Sequence, residues 1–504
     1  MDATLEKSLI NCWREAAKGV ISREETAEMV VPDTLPDIAE IIDADGVILI
    51  RGKEAMKGAV SVTAEILATV LFLPEGGGGP CRLSLKMPWS CRLEVDEADE
   101  KCVPMAVLSL TSVDARALNP RKVLVRADLT AALSCYRQAR LELPCTVQSE
   151  KRVETLMESC AISPVTAVRE KTFAVVDEYA VPSSRPAIGS ILKYRVDLQV
   201  EDIKPVGSKL VFKGVARTEI LYADVEFGEP VSASFHTAFS QIIEMDTPCE
   251  GANHEIMLLL TGAYIEQLSP TEQCRGIKAE LHLAAQAVLR QEMDAEYICD
   301  AYCNCAKANV ETESLTVEHL ERYAELRETV RELMETPEPV REVISICALA
   351  SRASAQENAV GCTVNLNAVY RSEGGTLSSV SRSYAVESAL QLSPQLQARV
   401  LSVNCPESFA TPAAGGIEVR VPVDLRVALT EMRELRPVSS VEFIEDNVCA
   451  QERPSLVIRR ATETDSLWSL AKNGCSTMEL IRQVNALESE SVPAGRVLLI
   501  PKAR

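Results

Sequence analysis

Pro36-Asp37-Ile38-Ala39-Glu40-Ile41-Ile42 recurs as Pro186-Ala187-Ile188-Gly189-Ser190-Ile191-Leu192 and, in weaker form, as Glu338-Pro339-Val340-Arg341-Glu342-Val343-Ile344. The period of about 150 residues is that of a domain, longer than the repeat of a solenoid. After each copy comes a stretch of alternating apolar and polar residues that ends on an apolar or aromatic cluster: residues 58–72, 214–222 and 361–370. Such alternation marks a strand with one buried face. Leu83, Leu85, Met87, Trp89, Cys91 and Leu93 extend the pattern in the first copy, Val231, Ala233 and Phe235 in the second, and Leu377, Ser379 and Val380 in the third. Each copy closes on another alternating segment, 123–133, 277–285 and 417–429. Short strands separated by Pro- and Gly-rich turns predict antiparallel β-sandwich or barrel-like repeats, three in tandem, and disfavour a parallel α/β fold. Lined up in order, the repeats are expected to form a rigid rod.

Helical signals gather between these units and at the start of the chain. Leu320, Tyr323, Leu326, Val330 and Leu333 stand three or four apart among charges, the pattern of an amphipathic helix over 317–333. Residues 151–160 read as a shorter equivalent, and Leu5, Leu9 and Trp13 suggest a helix within 4–29. The expected fold class is therefore mainly β with helical connectors, which pack on the sheets or set the angle between repeats.

The chain has 504 residues with 47% hydrophobic content, enough for several buried cores. Only 4% of residues are aromatic and the net charge is −21, so a stacked sugar or single-strand nucleic-acid groove and an anionic membrane are poor partners. Asp2, Glu6, Lys7, Arg14 and Glu15 interrupt the N-terminus where a secretion signal needs an apolar run, and no stretch approaches the ~20 apolar residues of a membrane span. Seventeen scattered cysteines fit a reducing cytosol better than a disulfide framework.

Residues with catalytic potential do not form a recognisable set, so neither enzyme chemistry nor a cofactor is expected. His236, His254, His282 and His319 lie far apart and outside any metal-ligand spacing. Gly76 to Gly79 lack the Gly-Lys-Ser/Thr that completes a phosphate loop and read as a hairpin turn. Cys299, Cys303 and Cys305 form a dense cluster without the paired CxxC spacing of a zinc site, so no metal is expected there.

The last fifty or so residues change character. Asp465 or Ser466 can cap a helix carrying Leu467, Leu470 and Ala471 on one face; Ser476 and Glu479 suggest a capping box before Leu480, Ile481 and Val484. Pro493 and Gly495 turn the chain into the strand Val497-Leu498-Leu499-Ile500, ended by Pro501. The order is strand, helix, helix, strand.

This terminal stretch resembles a LysM module, a family that binds and does not catalyse. With the three preceding units, the chain resembles the SPOCS-repeat proteins of endospore-forming bacteria. The resemblance implies an N-terminal helical segment (1–30), repeat 1 (31–147), a connector (148–180), repeat 2 (181–292), a helical connector (293–335), a divergent repeat 3 (336–445), a linker (446–455) and a small βααβ LysM domain (456–502). It implies a scaffold of spore-coat assembly in the mother-cell cytoplasm, at the forespore surface, docking to the spore-coat morphogenetic ATPase and other envelope proteins. The binding residues it implies are Thr464, Asp465, Ser466 and Leu467 in one loop and Asn485, Leu487, Val492 and Pro493 near the other. Glycan-binding members have Gly where this chain has Thr464, so peptidoglycan is the alternative ligand and protein the expected one.

Overall fold

The computed structural model describes residues 3–269, 273–356, 359–390, 392–444, 454–487, 489 and 492–503. Over these residues the chain is mainly β, in antiparallel sheets, with two short helices near the C-terminus. Most of the linker expected at 446–455 lies outside the described residues.

The first unit comprises β1 (Thr4–Val30), β2 (Ile38–Met56), β3 (Ala59–Pro74), β4 (Cys81–Glu94), β5 (Val103–Asn119) and β6 (Lys122–Gln148). β2, β3 and β4 form one meander, while β5, β6 and β1 form a second sheet. Alternation is direct in β3, where Val60, Val62, Ala64, Ile66, Ala68, Val70 and Phe72 are all buried. From Val62 onward these residues meet Met87 and Trp89 of β4 and Val123, Val125 and Leu129 of β6 in one core between the sheets.

After β7 (Val153–Ile162), the same order returns as β8 (Val165–Ala180), β9 (Ile188–Val206), β10 (Lys209–Asp224), β11 (Pro230–Glu244), β12 (Asn253–Gln267) and β13 (Gly276–Arg290). Again the middle three strands form a meander opposed by β12, β13 and β8, and β8 also pairs with β1 at Val165 and Trp13, so the two triplets β12-β13-β8 and β1-β6-β5 are one six-stranded sheet. β14 (Met293–Cys303) and β15 (Lys307–Thr312) lead into a third set: β16 (Leu315–Glu335), β17 (Val340–Gln356), β18 (Ala359–Ser372), β19 (Leu377–Ala389), β20 (Leu396–Asn404), β21 (Phe409–Ala413) and β22 (Gly416–Leu435). Here the strand beside β22 is split into β20 and β21. β23 (Val438–Ile444) follows and pairs with β15, as β14 pairs with β7.

The three units close on one another and do not form a rod. Ile42, Leu192 and Ile344, the last residues of the three motif copies, are all buried in one cluster with Leu71, Leu221 and Val369. Beside it Lys193 Nζ lies 2.5 Å from Asp43 and 3.4 Å from Asp45. Arg195 donates to Ala348 O at 2.7 Å. Asn367 Nδ2 donates to Asp43 at 2.5 Å, and Ser379 Oγ donates to Ile42 O at 2.6 Å. Unit one thus touches unit two, two touches three, and three touches one. The paired arms beyond the units also converge: Leu143, Ile162 and Tyr297 share one cluster, and Ile298, Val438 and Val441 another that Val147 joins. A rod would leave units one and three apart.

All three expected helices are strands. Leu5, Leu9 and Trp13 lie in β1, residues 151–160 fall largely in β7, and residues 317–333 lie in β16. The physical reason is that a spacing of four is a multiple of two, so it places residues on one face of a strand as well as of a helix. In β16 a bulge between Leu320 and Arg322 breaks the period of two and imitates a helical stagger. Its partner β22 buries Ile417, Val419, Val421, Val423, Leu425 and Val427 in strict alternation, and pairing with that face overrides the helical propensity of a Glu-, Arg- and Leu-rich segment.

Candidate docking module and its seat

The C-terminal module consists of β24 (Leu456–Arg460), α1 (Leu467–Gly474), α2 (Met478–Val484) and β25 (Val497–Pro501), with β24 and β25 paired antiparallel. Ser466 caps α1: its hydroxyl accepts from Ser469 N, and Ser469 Oγ accepts from Ser466 N in return. The helix ends at Cys475 in the left-handed region. The second cap is Thr477, whose hydroxyl accepts from Leu480 N, and not the expected Ser476, which is buried.

The eight residues expected to bind a partner divide by burial. Thr464, Ser466 and Pro493 are exposed. Leu467 is 2% exposed and Leu487 8%, and both belong to the module's core with Trp468, Ile481, Leu498 and Ile500; Val492 packs against that core. Asn485 ties α2 to β25, donating to Ile481 O and Leu499 O and accepting from Leu499 N at 2.7 Å. Asp465 accepts from the backbone N–H and hydroxyl of Thr462, both at 2.9 Å, and from Arg459 at 2.8 Å. Those bonds, the Thr462 N–H first, hold its carboxyl below the usual carboxylate range. Asp465 therefore staples the loop, and Leu467 supports it from inside.

Nothing in the sequence marked the surface on which this module rests. Trp468 Nε1 donates to Asp300 at 2.7 Å, Lys472 pairs with the same carboxylate at 2.7 Å, and the Trp468 ring meets Tyr302 edge-on at 4.7 Å between centroids. The Tyr302 hydroxyl donates to Ser476 O at 2.9 Å, and Leu156 of β7 packs against the module's core. Both Asp300 and Tyr302 come from β14, which carries a bulge between Ile298 and Asp300. With α1 turned toward the body, the outward face of the β24–β25 pair exposes Leu456, Ile458 and Val497, at 46, 67 and 60%.

Elsewhere the candidate groups stay apart. His319 faces Ser163 at 3.3 Å, His282 faces Glu280 at 3.0 Å and His254 faces Ala252 O. Among the described residues no three His, Cys, Asp or Glu side chains are placed to hold a metal ion, and no helix is long and apolar enough to cross a membrane. Residues 76–79 form the turn between β3 and β4; Gly76, Gly77 and Gly78 have positive φ, and a Cβ on Gly79 would lie 2.3 Å from Gly228 O of the second unit. That run of glycine serves a close approach between units. Arg121 and Arg275 were equally unmarked in the sequence. Arg121 donates to Leu35 O and Val31 O, and Arg275 to Pro182 O and Arg185 O, each clamping the turn ahead of its motif copy.

Residues 187–271, which run from the start of β9 past the end of β12, match the family model described as SipL, SPOCS domain. That family connects the middle unit, and with it the protein, to sporulation. No curated protein and no solved structure matches the chain.

Proposed function

We propose that this chain is a non-enzymatic adaptor of spore-envelope assembly, acting in the mother-cell cytoplasm at the forespore surface. Its three β units are SPOCS-like repeats forming a closed body, and its C-terminal strand-helix-helix-strand unit is a LysM-like head that docks to the spore-coat morphogenetic ATPase. The observation that carries this reading is the orientation of the head: Trp468 and Lys472 are committed to Asp300, while Leu456, Ile458 and Val497 face outward. Exposed apolar side chains on one small sheet suit a protein partner better than a hydrated glycan. Thr464, Ser466 and Pro493 stand exposed on the same module and extend the contact surface.

The test compares capture of the ATPase and of purified peptidoglycan by the full chain, by a form lacking residues 453–504, and by Ile458→Glu. ATPase capture lost in both altered forms, with Ile458→Glu still folded, supports the adaptor. Retention on peptidoglycan that chitin oligosaccharide competes away, with no ATPase capture, overturns it in favour of the glycan-binding alternative. A fluorescent fusion that fails to collect around the forespore would remove the proposed location.

A further inference from the structure

The end of β14 and the bend after it hold two thiols against each other: Cys303 Sγ lies 3.2 Å from Cys305 Sγ. Cys303 is 6% exposed and Cys305 is exposed, so one sulfur is open to a reagent and its neighbour is shielded. A disulfide has its sulfurs about 2.05 Å apart, so closing the bond moves each sulfur by roughly 0.6 Å. Between them sits Asn304, whose Nδ2 and Oδ1 are both buried without a hydrogen-bond partner. An unsatisfied buried amide is a costly arrangement, of the kind found at strained or redox-active sites. The residue before the pair is Tyr302, whose ring and hydroxyl hold Trp468 and Ser476 of the C-terminal module.

We propose that Cys303 and Cys305 form a reversible oxidation site whose disulfide tightens the seat of the C-terminal module. The oxidant is a small disulfide of the oxidised-glutathione class. Cys305, as thiolate, attacks one sulfur of that disulfide, forming a mixed disulfide and releasing one glutathione thiolate. Cys303 then loses its proton and attacks Cys305 Sγ; the intrachain S–S bond forms, the mixed disulfide breaks, and the second glutathione leaves as thiolate. The cysteine pair loses two electrons and two protons, and the oxidant takes them up as two thiols. The hydrogen bond shared with Cys303, and then burial, raise the Cys305 thiol, which lowers its thiolate fraction and makes the first exchange slow. The ring closed over Asn304 removes freedom from the bend, and Tyr302 is the residue through which the module reads that loss.

The test treats the full chain with oxidised glutathione, maps disulfides by peptide mass, and follows amide hydrogen exchange in α1 with and without a later reductant. The expected result is a Cys303–Cys305 link and exchange in α1 slowed several-fold, reversed on reduction and absent in Cys305→Ser. Cys145, which is exposed and distant in sequence, reports on adduct formation alone. Free thiols at 303 and 305 after oxidation overturn the proposal. So does a mapped link that leaves α1 exchange unchanged.

Discussion

Replacing Lys193 by Met tests whether the units are locked through their buried charges. The Lys193 side chain is 10% exposed and that of Asp43 0%, with Nζ 2.5 Å from Asp43 and 3.4 Å from Asp45. At an effective dielectric constant of about 20, those separations correspond to gross attractions of about 7 and 5 kcal/mol. Desolvation of the three ions, at several kcal/mol each, offsets much of this. Burial pushes the Lys193 ammonium toward neutrality, but the carboxylates outweigh it and hold its pKa above the usual lysine value. Removing the cation strands two neighbouring carboxylates with Asn367 as the side chain bonded to Asp43, so the expected loss is about 3–5 kcal/mol. Lys193→Met combined with Asp43→Leu should cost less than the sum of the single changes by about 2 kcal/mol or more, since an apolar replacement of a buried pair is nearly neutral. Urea unfolding followed through the far-ultraviolet circular dichroism of the sheets reads this loss. Additivity of the two changes within about 0.5 kcal/mol would refute the reasoning.

Trp468→Ala should cost about 3 kcal/mol or more, because it leaves a cavity in the module's core and removes the indole N–H bond to Asp300; the check is faster limited proteolysis of the C-terminal segment in the full chain. Asp465 contributes stability that is present above the ordinary aspartate pKa of about 3.9 and is lost as the pH falls through its depressed folded value. The module's melting temperature should therefore hold near pH 5 and fall in stronger acid, and Asp465→Asn should flatten that acid limb. Gly79→Ala should destabilise by about 1–3 kcal/mol in a calorimetric scan, since the new Cβ meets backbone of another unit; unchanged melting would mean that the two hairpin turns do not touch.

Sequence alone determined which faces of the strands are buried. Alternation at Val60 to Phe72 and at Ile417 to Leu429 is a local record of one dry and one wet face, and it is legible without knowledge of any partner strand. The strand-helix-helix-strand order near the C-terminus was equally legible, because Ser466, Pro493 and Gly495 write caps and turns into a few adjacent residues. Tertiary structure decided the rest. Whether Leu320 and Leu326 belong to a helix or a strand depends on β22, whose paired residues lie about a hundred positions away. Leu467, a contact residue by resemblance, is buried in the core with Leu470 and Ala471 of the same helix, while Asp300 and Tyr302, without any local signal, form the module's seat. The closure of three units into one body rests on pairs such as Asp43 with Lys193 and Ile42 with Ser379. Periodicity records what each residue's own backbone requires; partners distant in the chain leave no periodic trace, so only the folded molecule reveals them.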